Sequence, residues 1–129
     1  MAYDKARVSE KFKKGRHLLD RAYYPEAIDI FSQLIEEVTP YIKDDKDAKV
    51  TWDTSLNNRG VAKCKLGYSS GDKALYESGL EDYRTTVSTF ENEEERKRLT
   101  ANSNLLYGEN ELKDFDTQKG VRFGFMELE

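Results

Sequence analysis

The sequence predicts an all-α domain of stacked antiparallel helical hairpins, five or six helices in all. Three observations predict it. Apolar residues recur every three or four positions over most of the 129-residue chain, the period of a helix with one buried face. The breaks in that pattern are short and carry proline or glycine, so consecutive helices fold back on one another. The stretch Asn57-Asn58-Arg59-Gly60-Val61-Ala62-Lys63-Cys64-Lys65-Leu66-Gly67 sets the small residues Gly60 and Ala62 on one face of a helical pattern, as expected where a second helix packs close.

The first helix is predicted from about Asp4 to Ala22, where Ala6, Phe12, Gly15, Leu18, Leu19 and Ala22 keep the helical spacing. Tyr23-Tyr24-Pro25 breaks it, and Pro25 suits the first turn of the next helix, where its missing N–H would have had no partner. The second helix runs through Ala27, Ile28, Ile30, Phe31, Leu34, Ile35 and Val38 to a stop near Pro40. The polar loop Asp44-Asp45-Lys46-Asp47 supplies an N-cap for a third helix, about Ala48 to Leu66, with Trp52, Leu56, Val61 and Leu66 as its larger apolar residues. Gly67-Tyr68-Ser69-Ser70-Gly71 has the chemistry of a turn. Leu75, Tyr76, Leu80, Tyr83, Val87 and Phe90 carry a fourth helix to about Thr89, with Gly79 marking a tight contact. Asn92 followed by Glu95 is a capping signal for a fifth helix from about Glu93 to Tyr107, ended by Gly108. Asn110 then caps a short sixth helix to about Gln118. Residues 1–120 form the helical domain, and Gly120 releases an extended tail over 121–129, where Val121, Phe123 and Phe125 alternate with Arg122 and Gly124.

A single domain of this length buries roughly two-thirds of its unfolded surface and needs no disulfide or metal as a staple. The net charge is −4, but its signs are uneven: of 21 Lys/Arg and 25 Asp/Glu, residues 1–21 hold seven and three, leaving 14 and 22 for the rest. Such a chain is dipolar and lacks the basic bulk of a nucleic-acid binder. One cysteine, Cys64, and no Asn-x-Ser/Thr acceptor point to a reducing, cytoplasmic setting. No stretch approaches the ~20 apolar residues that span a bilayer, so no membrane partner is expected.

Several motifs invite chemistry and have a plainer explanation beside it. Gly67-Tyr68-Ser69-Ser70-Gly71 fits the G-x-S-x-G elbow of α/β-hydrolases, which needs a strand before it; a helix is predicted there. His17 is the only histidine, so no multi-imidazole metal site exists. Asp44-Asp45-Lys46-Asp47 lacks the glycine and terminal glutamate of a calcium loop. Lys63 and Lys65 flank Cys64, but neighbours in sequence point apart on a helix, which favours a buried, inert thiol over a redox one. The run Lys11, Lys13, Lys14, Arg16 is either a solvated face or a site for an acidic partner. Tyr23, Tyr24, Phe31, Tyr76, Tyr83 and Phe90 fall at core spacings without interleaved Lys/Arg, which favours packing over base stacking. No phosphate cradle, cofactor site or catalytic constellation emerges.

Val8 to Tyr41 is 34 residues long, and Gly15, Leu18, Tyr24, Ala27, Phe31 and Pro40 fall at or within one residue of fixed pattern positions of the tetratricopeptide repeat (TPR): small, large, aromatic, alanine, aromatic, proline. A second unit resembles a TPR from about Asp53 to the region of Phe90. It has Asn58-Arg59-Gly60 with Ala62 and Leu66-Gly67, then Gly79-Leu80-Glu81-Asp82-Tyr83 where the pattern has Ala-Ile-x-x-Tyr. It departs from the family in the 11 residues Ile42 to Trp52 between units and in about seven extra residues between its helices. Ala101 and Gly108 fit a third, degenerate unit that acts as a cap.

The resemblance implies a right-handed superhelix and a non-catalytic protein-interaction module, an adaptor or co-chaperone-like scaffold that binds a peptide segment of a partner. It places Phe12, Arg16 and Leu19 of the first helix, Asn58, Val61 and Lys65 of the third, and Arg98, Asn102 and Leu105 of the fifth along a concave groove. Apolar contact, cations for acidic groups and the Asn58 amide would share that groove. Otherwise it is a solvated concavity, or is filled by the chain's own tail. The TPR carboxylate clamp for acidic chaperone termini finds only Asn58 in place. Phe12, Arg16, Glu95 and Leu99 stand where its other four residues belong. The alternative function is a self-assembling structural subunit that uses the groove or the tail.

Overall fold

The computed structural model describes residues 3–89, 95–113 and 115, without the side chains of 95–98. It is all-helical across these residues: α1 (Lys5–Asp20), α2 (Tyr24–Val38), a 3-10 turn (Thr39–Tyr41), α3 (Lys46–Ser70), α4 (Lys73–Thr89) and α5 (Glu95–Lys113). Each helix packs on the next, and α3 also touches α1 and α5.

Local chemistry sets most boundaries. Asp4, Asp45 and Asp72 each accept a hydrogen bond from the backbone N–H three residues on, at 3.1, 3.1 and 3.0 Å, and so start α1, α3 and α4. Pro25 occupies the first turn of α2. α1 ends with the Ala22 N–H donating to the Leu19 carbonyl and the Tyr23 N–H to the Leu18 carbonyl, at 3.0 and 2.9 Å. α3 ends the same way, with Gly71 at φ 74° and the Asp72 N–H donating to the Gly67 carbonyl at 2.8 Å.

Two expected breaks do not occur. α3 continues through Gly67 to Ser70, because Gly71 supplies the left-handed residue and Gly67 serves a different purpose. A Cβ on Gly67 would lie 2.7 Å from the Tyr76 backbone nitrogen and 2.8 Å from the Asp72 carbonyl oxygen, so its bareness lets the start of α4 close against α3. α5 likewise runs through Gly108, where a Cβ would meet Leu80 Cδ2 at 2.4 Å. Asn110 therefore lies inside α5 and caps nothing, and the expected sixth helix is in part the end of the fifth. The capping pair's Asn92 and the tail over 121–129 lie outside the described residues.

Antiparallel register follows from residue pairs. Across α3 and α4, Lys63 meets Ser78, Arg59 meets Asp82, and Lys49 meets Thr89. Between α1 and α2, Arg7 pairs with Glu37 while Gly15 lies against Phe31. Gly60 and Gly79 face each other: a Cβ on Gly60 would lie 2.9 Å from the Gly79 carbonyl oxygen, and one on Gly79 2.8 Å from that of Gly60. Ala62 does not share this contact. Two residues apart on a helix are about 200° apart, and Ala62 packs instead into the cluster built with α1 and α2.

The core has two parts joined through α3. The first holds Tyr3, Val8, Ala27, Phe31, Leu34, Val38, Ala48 and Ala62. The second holds Cys64, Tyr68, Tyr76, Leu80, Tyr83 and Phe115. Tyr68, Tyr76 and Phe115 form a triangle of rings with centroids 5.6 to 6.2 Å apart. Tyr24 packs against the first cluster, whereas Tyr23 is exposed and not a packing residue; Phe90 lies outside the described residues. The basic N-terminal helix is partly neutralised by the chain itself, with Lys5 paired to Asp45 and Asp47 at 3.5 and 3.3 Å.

Candidate functional site

α1, α3 and α5 are held in succession by α2 and α4, and two crevices open between them. The first, about 390 Å³, lies between α1 and the start of α3, lined by Tyr3, Val8, Ser9, Phe12, Val50, Thr51 and Thr54 together with Lys5 and Asp47. Phe12 reaches it from α1 while its ring packs edge-on to Phe31, 5.7 Å between centroids. The second, about 190 Å³, lies between α3 and α5 over α4, lined by Val61, Cys64, Lys65, Tyr76, Tyr83, Asn104, Tyr107, Gly108 and Glu111. Val50, Thr54, Asn58, Val61 and Lys65 follow spacings of three and four, so one stripe of α3 passes from the first crevice to the second.

Of the residues expected in the groove, Phe12 lines the first crevice, and Val61 and Lys65 the second. Asn58 lies between, half-buried, accepting from the Asn57 side-chain amide at 3.5 Å. Leu19 packs onto the first core cluster and Leu105 onto the second. Arg16 is exposed and pairs with Asp20 at 3.3 Å, a turn further along α1. Asn102 is half-buried on α5, and Arg98 lies in the first turn of that helix, its side chain outside the described residues.

The second crevice holds groups that the sequence pattern did not mark. Glu111 is 5% exposed. The Tyr76 hydroxyl donates to its Oε1 at 2.6 Å and the Tyr107 hydroxyl to its Oε2 at 3.4 Å. Burial, then the bond to Glu111, holds the Tyr76 phenol far above its ordinary pKa, so it stays a donor. Asn104 donates from its amide to Asn57 across α3 and α5 at 3.3 Å. A break at Gly108 would have dissolved this corner, since Glu111 projects beside Tyr107 only when α5 continues.

Charge ties brace the frame behind the crevices. Arg59 donates from Nε and Nη2 to the two oxygens of buried Asp82, both at 2.8 Å, and from Nη1 to Ser32 Oγ at 3.2 Å, linking α2, α3 and α4. Lys63 adds a contact to Asp82 at 3.3 Å. Asp53, fully buried, pairs with Lys49 and accepts from Thr89 Oγ1 at 2.6 Å.

The motifs with catalytic connotations resolve structurally. Gly67–Gly71 is the end of α3, where Ser69 and Ser70 donate to the Leu66 carbonyl, so no strand leads into an exposed serine. Cys64 is buried and its thiol is pushed up to about 12, mainly by burial, which opposes thiolate chemistry. Among the described residues no group of three or more His, Cys, Asp or Glu is placed to hold a metal ion, and no helix is long and apolar enough to cross a membrane. No family model matches the chain, and no curated protein or solved structure matches it.

Proposed function

We propose that the chain is a non-catalytic interaction module, an adaptor of TPR type, that binds a peptide segment of a partner protein along the face formed by α1, α3 and α5. The observation that carries this reading is the stripe of α3 from Val50 to Lys65, which joins two crevices on one side of the stack. Apolar side chains of an extended peptide would seat in the first crevice against Val8, Phe12 and Val50, and Asn58 would meet its backbone with both halves of its amide. The single buried thiol suits a reducing compartment, which agrees with a cytoplasmic location.

Selection of a displayed random-peptide library against the full chain tests this. Ser9→Arg and Thr51→Arg, which fill the first crevice from its two walls, should abolish capture of the selected peptides while leaving the thermal midpoint unchanged. Selected peptides that bind both folded variants as tightly as the parent would remove the reading. A second reading, self-assembly, is favoured by Leu99 and Leu106, both more than half exposed and seven residues apart on one face of α5. Concentration-dependent light scattering separates the two, since a self-assembling subunit gains mass without any peptide.

A further inference from the structure

The α3 stripe that joins the two crevices continues, three residues past Lys65, to Tyr68. Phe115 is seated there, buried, its ring edge-on to that of Tyr68 with 5.6 Å between centroids. The chain therefore leaves α5 at one end of the stripe, and the first crevice lies at the other. Tyr68 and Val50 are 18 residues apart on α3, about 27 Å at the helical rise. Phe115 and Phe123 are eight residues apart, about 26 Å for an extended chain. A chain that follows the stripe back along α3 thus brings Phe123 over Val50, with Val121 near Thr54 and Phe125 towards Tyr3.

Composition changes at the matching place. Asp116-Thr117-Gln118-Lys119-Gly120 carries no apolar side chain and spans Lys65, Val61 and Asn58, whereas the apolar alternation begins at Val121, where the first crevice opens. In an extended chain Val121, Phe123 and Phe125 share one face, and Arg122 and Gly124 the other. Lys5 and Asp47 are paired at that crevice, so its walls offer chiefly the apolar surface of Tyr3, Val8, Phe12 and Val50. At about 390 Å³ it falls within the range of pockets that bury a drug-sized apolar group.

We propose that residues 116–125 fold back along α3 and seat Val121, Phe123 and Phe125 in the first crevice of the same chain, as an occupant that a partner peptide must displace. The docking stands on the crevice and the length of chain; its regulatory consequence rests on the peptide-binding reading. A segment tethered this closely acts at an effective concentration on the order of millimolar, so the chain's own residues prevail over those of a second copy at ordinary concentrations.

Paramagnetic broadening in the full chain tests this. A nitroxide is attached at Arg122→Cys, which the alternation turns away from the crevice, in a Cys64→Ala background labelled with nitrogen-15. It should broaden the backbone amides of Val8, Phe12 and Val50 and spare those of Leu99 and Leu106. A nitroxide-bearing chain without nitrogen-15, mixed with a labelled chain without nitroxide, should give no broadening. Phe123→Ser together with Phe125→Ser should abolish the effect, and in the otherwise unaltered chain should shift the same three amides. Broadening centred on α5, broadening no stronger at the crevice than elsewhere, or broadening that passes between chains in the mixture would each overturn the inference. Peptides selected on the double serine variant should bind it at least about threefold more tightly than the parent, because the parent must first open its crevice. Equal affinities would also overturn it. Failure to select any peptide removes the peptide-binding reading alone, since the broadening is measured without a ligand.

Discussion

At the end of α1 the chain turns through Ala22 at φ 63°, whereas α3 makes the equivalent turn through Gly71 at φ 74°, so the two turns differ by one methyl group in a left-handed conformation. A Cβ there costs about 1–2 kcal/mol, partly offset because glycine loses more freedom on folding. Ala22→Gly should therefore stabilise the protein by about 0.5–1 kcal/mol, read as a raised denaturation midpoint; a lowered midpoint would show that the methyl group packs usefully. Cys64 yields a second prediction, about alkali. Its thiol rises from an ordinary 9.0 to about 12, mainly through burial. Between those values the unfolded chain has lost a proton that the folded chain keeps, so stability falls as pH rises, by up to about 1.4 kcal/mol per pH unit. Burial raises Tyr76 and Tyr83 as well, which adds to the loss above pH 10.0. Urea melts of Cys64→Ala from pH 8 to 11 should show a shallower decline than the parent, and parallel curves would remove the thiol from the cause. At this scale the sequence was informative where a residue acts on its own backbone. Asp45 and Pro25 signal helix starts by their chemistry alone, whereas Ala22 gives no sign of a left-handed turn because alanine ordinarily avoids one.

Between helices, a glycine serves either to end a helix or to let another helix approach, and the two uses look alike along a chain. Gly60 and Gly79 were legible as close contacts because each sits inside an unbroken apolar rhythm. Gly67 and Gly108 were not, since serines and a second glycine follow the one and asparagine follows the other. Both admit a neighbour, and as helix ends they hide the place of Tyr68 and Phe115 in the second core, whose Cys64, Tyr76, Leu80 and Tyr83 the helical spacing already marks. Tyr68 belongs to the ring triangle only if α3 passes Gly67, and Glu111 belongs to the second crevice only if α5 passes Gly108. The expected groove residues on α3 were placed by the TPR resemblance and share one face of that helix, so Val61 and Lys65 lie together at that crevice, whereas the pattern assigns nothing to the position of its buried acid. Gly60 gives the element-scale prediction. Its missing Cβ would already stand 2.8 Å from Tyr83 Cε1 and 2.9 Å from the Gly79 carbonyl oxygen, and a leucine cannot enter without separating α3 from α4. Gly60→Leu should destabilise by at least about 1–3 kcal/mol, with a matching fall in thermal midpoint. An unchanged midpoint would mean that the two helices are not in contact at this position.

For the whole molecule, the order of helices along the chain is also the order of packing, so stability is distributed by neighbour rather than shared through one centre. α3 occupies the middle of that order. Its 25 residues contribute Ala48 and Ala62 to one core cluster and Cys64 and Tyr68 to the other. It also carries the buried ties of Lys49, Arg59 and Lys63 to α4 and its neighbours. Among the described residues α1 has a packed partner only on the side of α2 and α3, and much of its surface is exposed, including Lys13, Lys14 and Arg16. Among the described residues α5 has its partners on the side of α3 and α4 and leaves Leu99 and Leu106 exposed. Such an arrangement opens from its ends. Native-state amide exchange should accordingly be slowest in α3 and α4 around Gly60, Cys64 and Leu80, and should proceed in α1 and α5 through partial openings of lower free energy. The Gly60→Leu variant should raise the exchange rates of the central amides towards those of α1, because it removes the contact that sets α3 and α4 apart. If instead all five helices exchange with one common free energy in the parent protein, the stack unfolds as a single unit and its stability is not divided by neighbour.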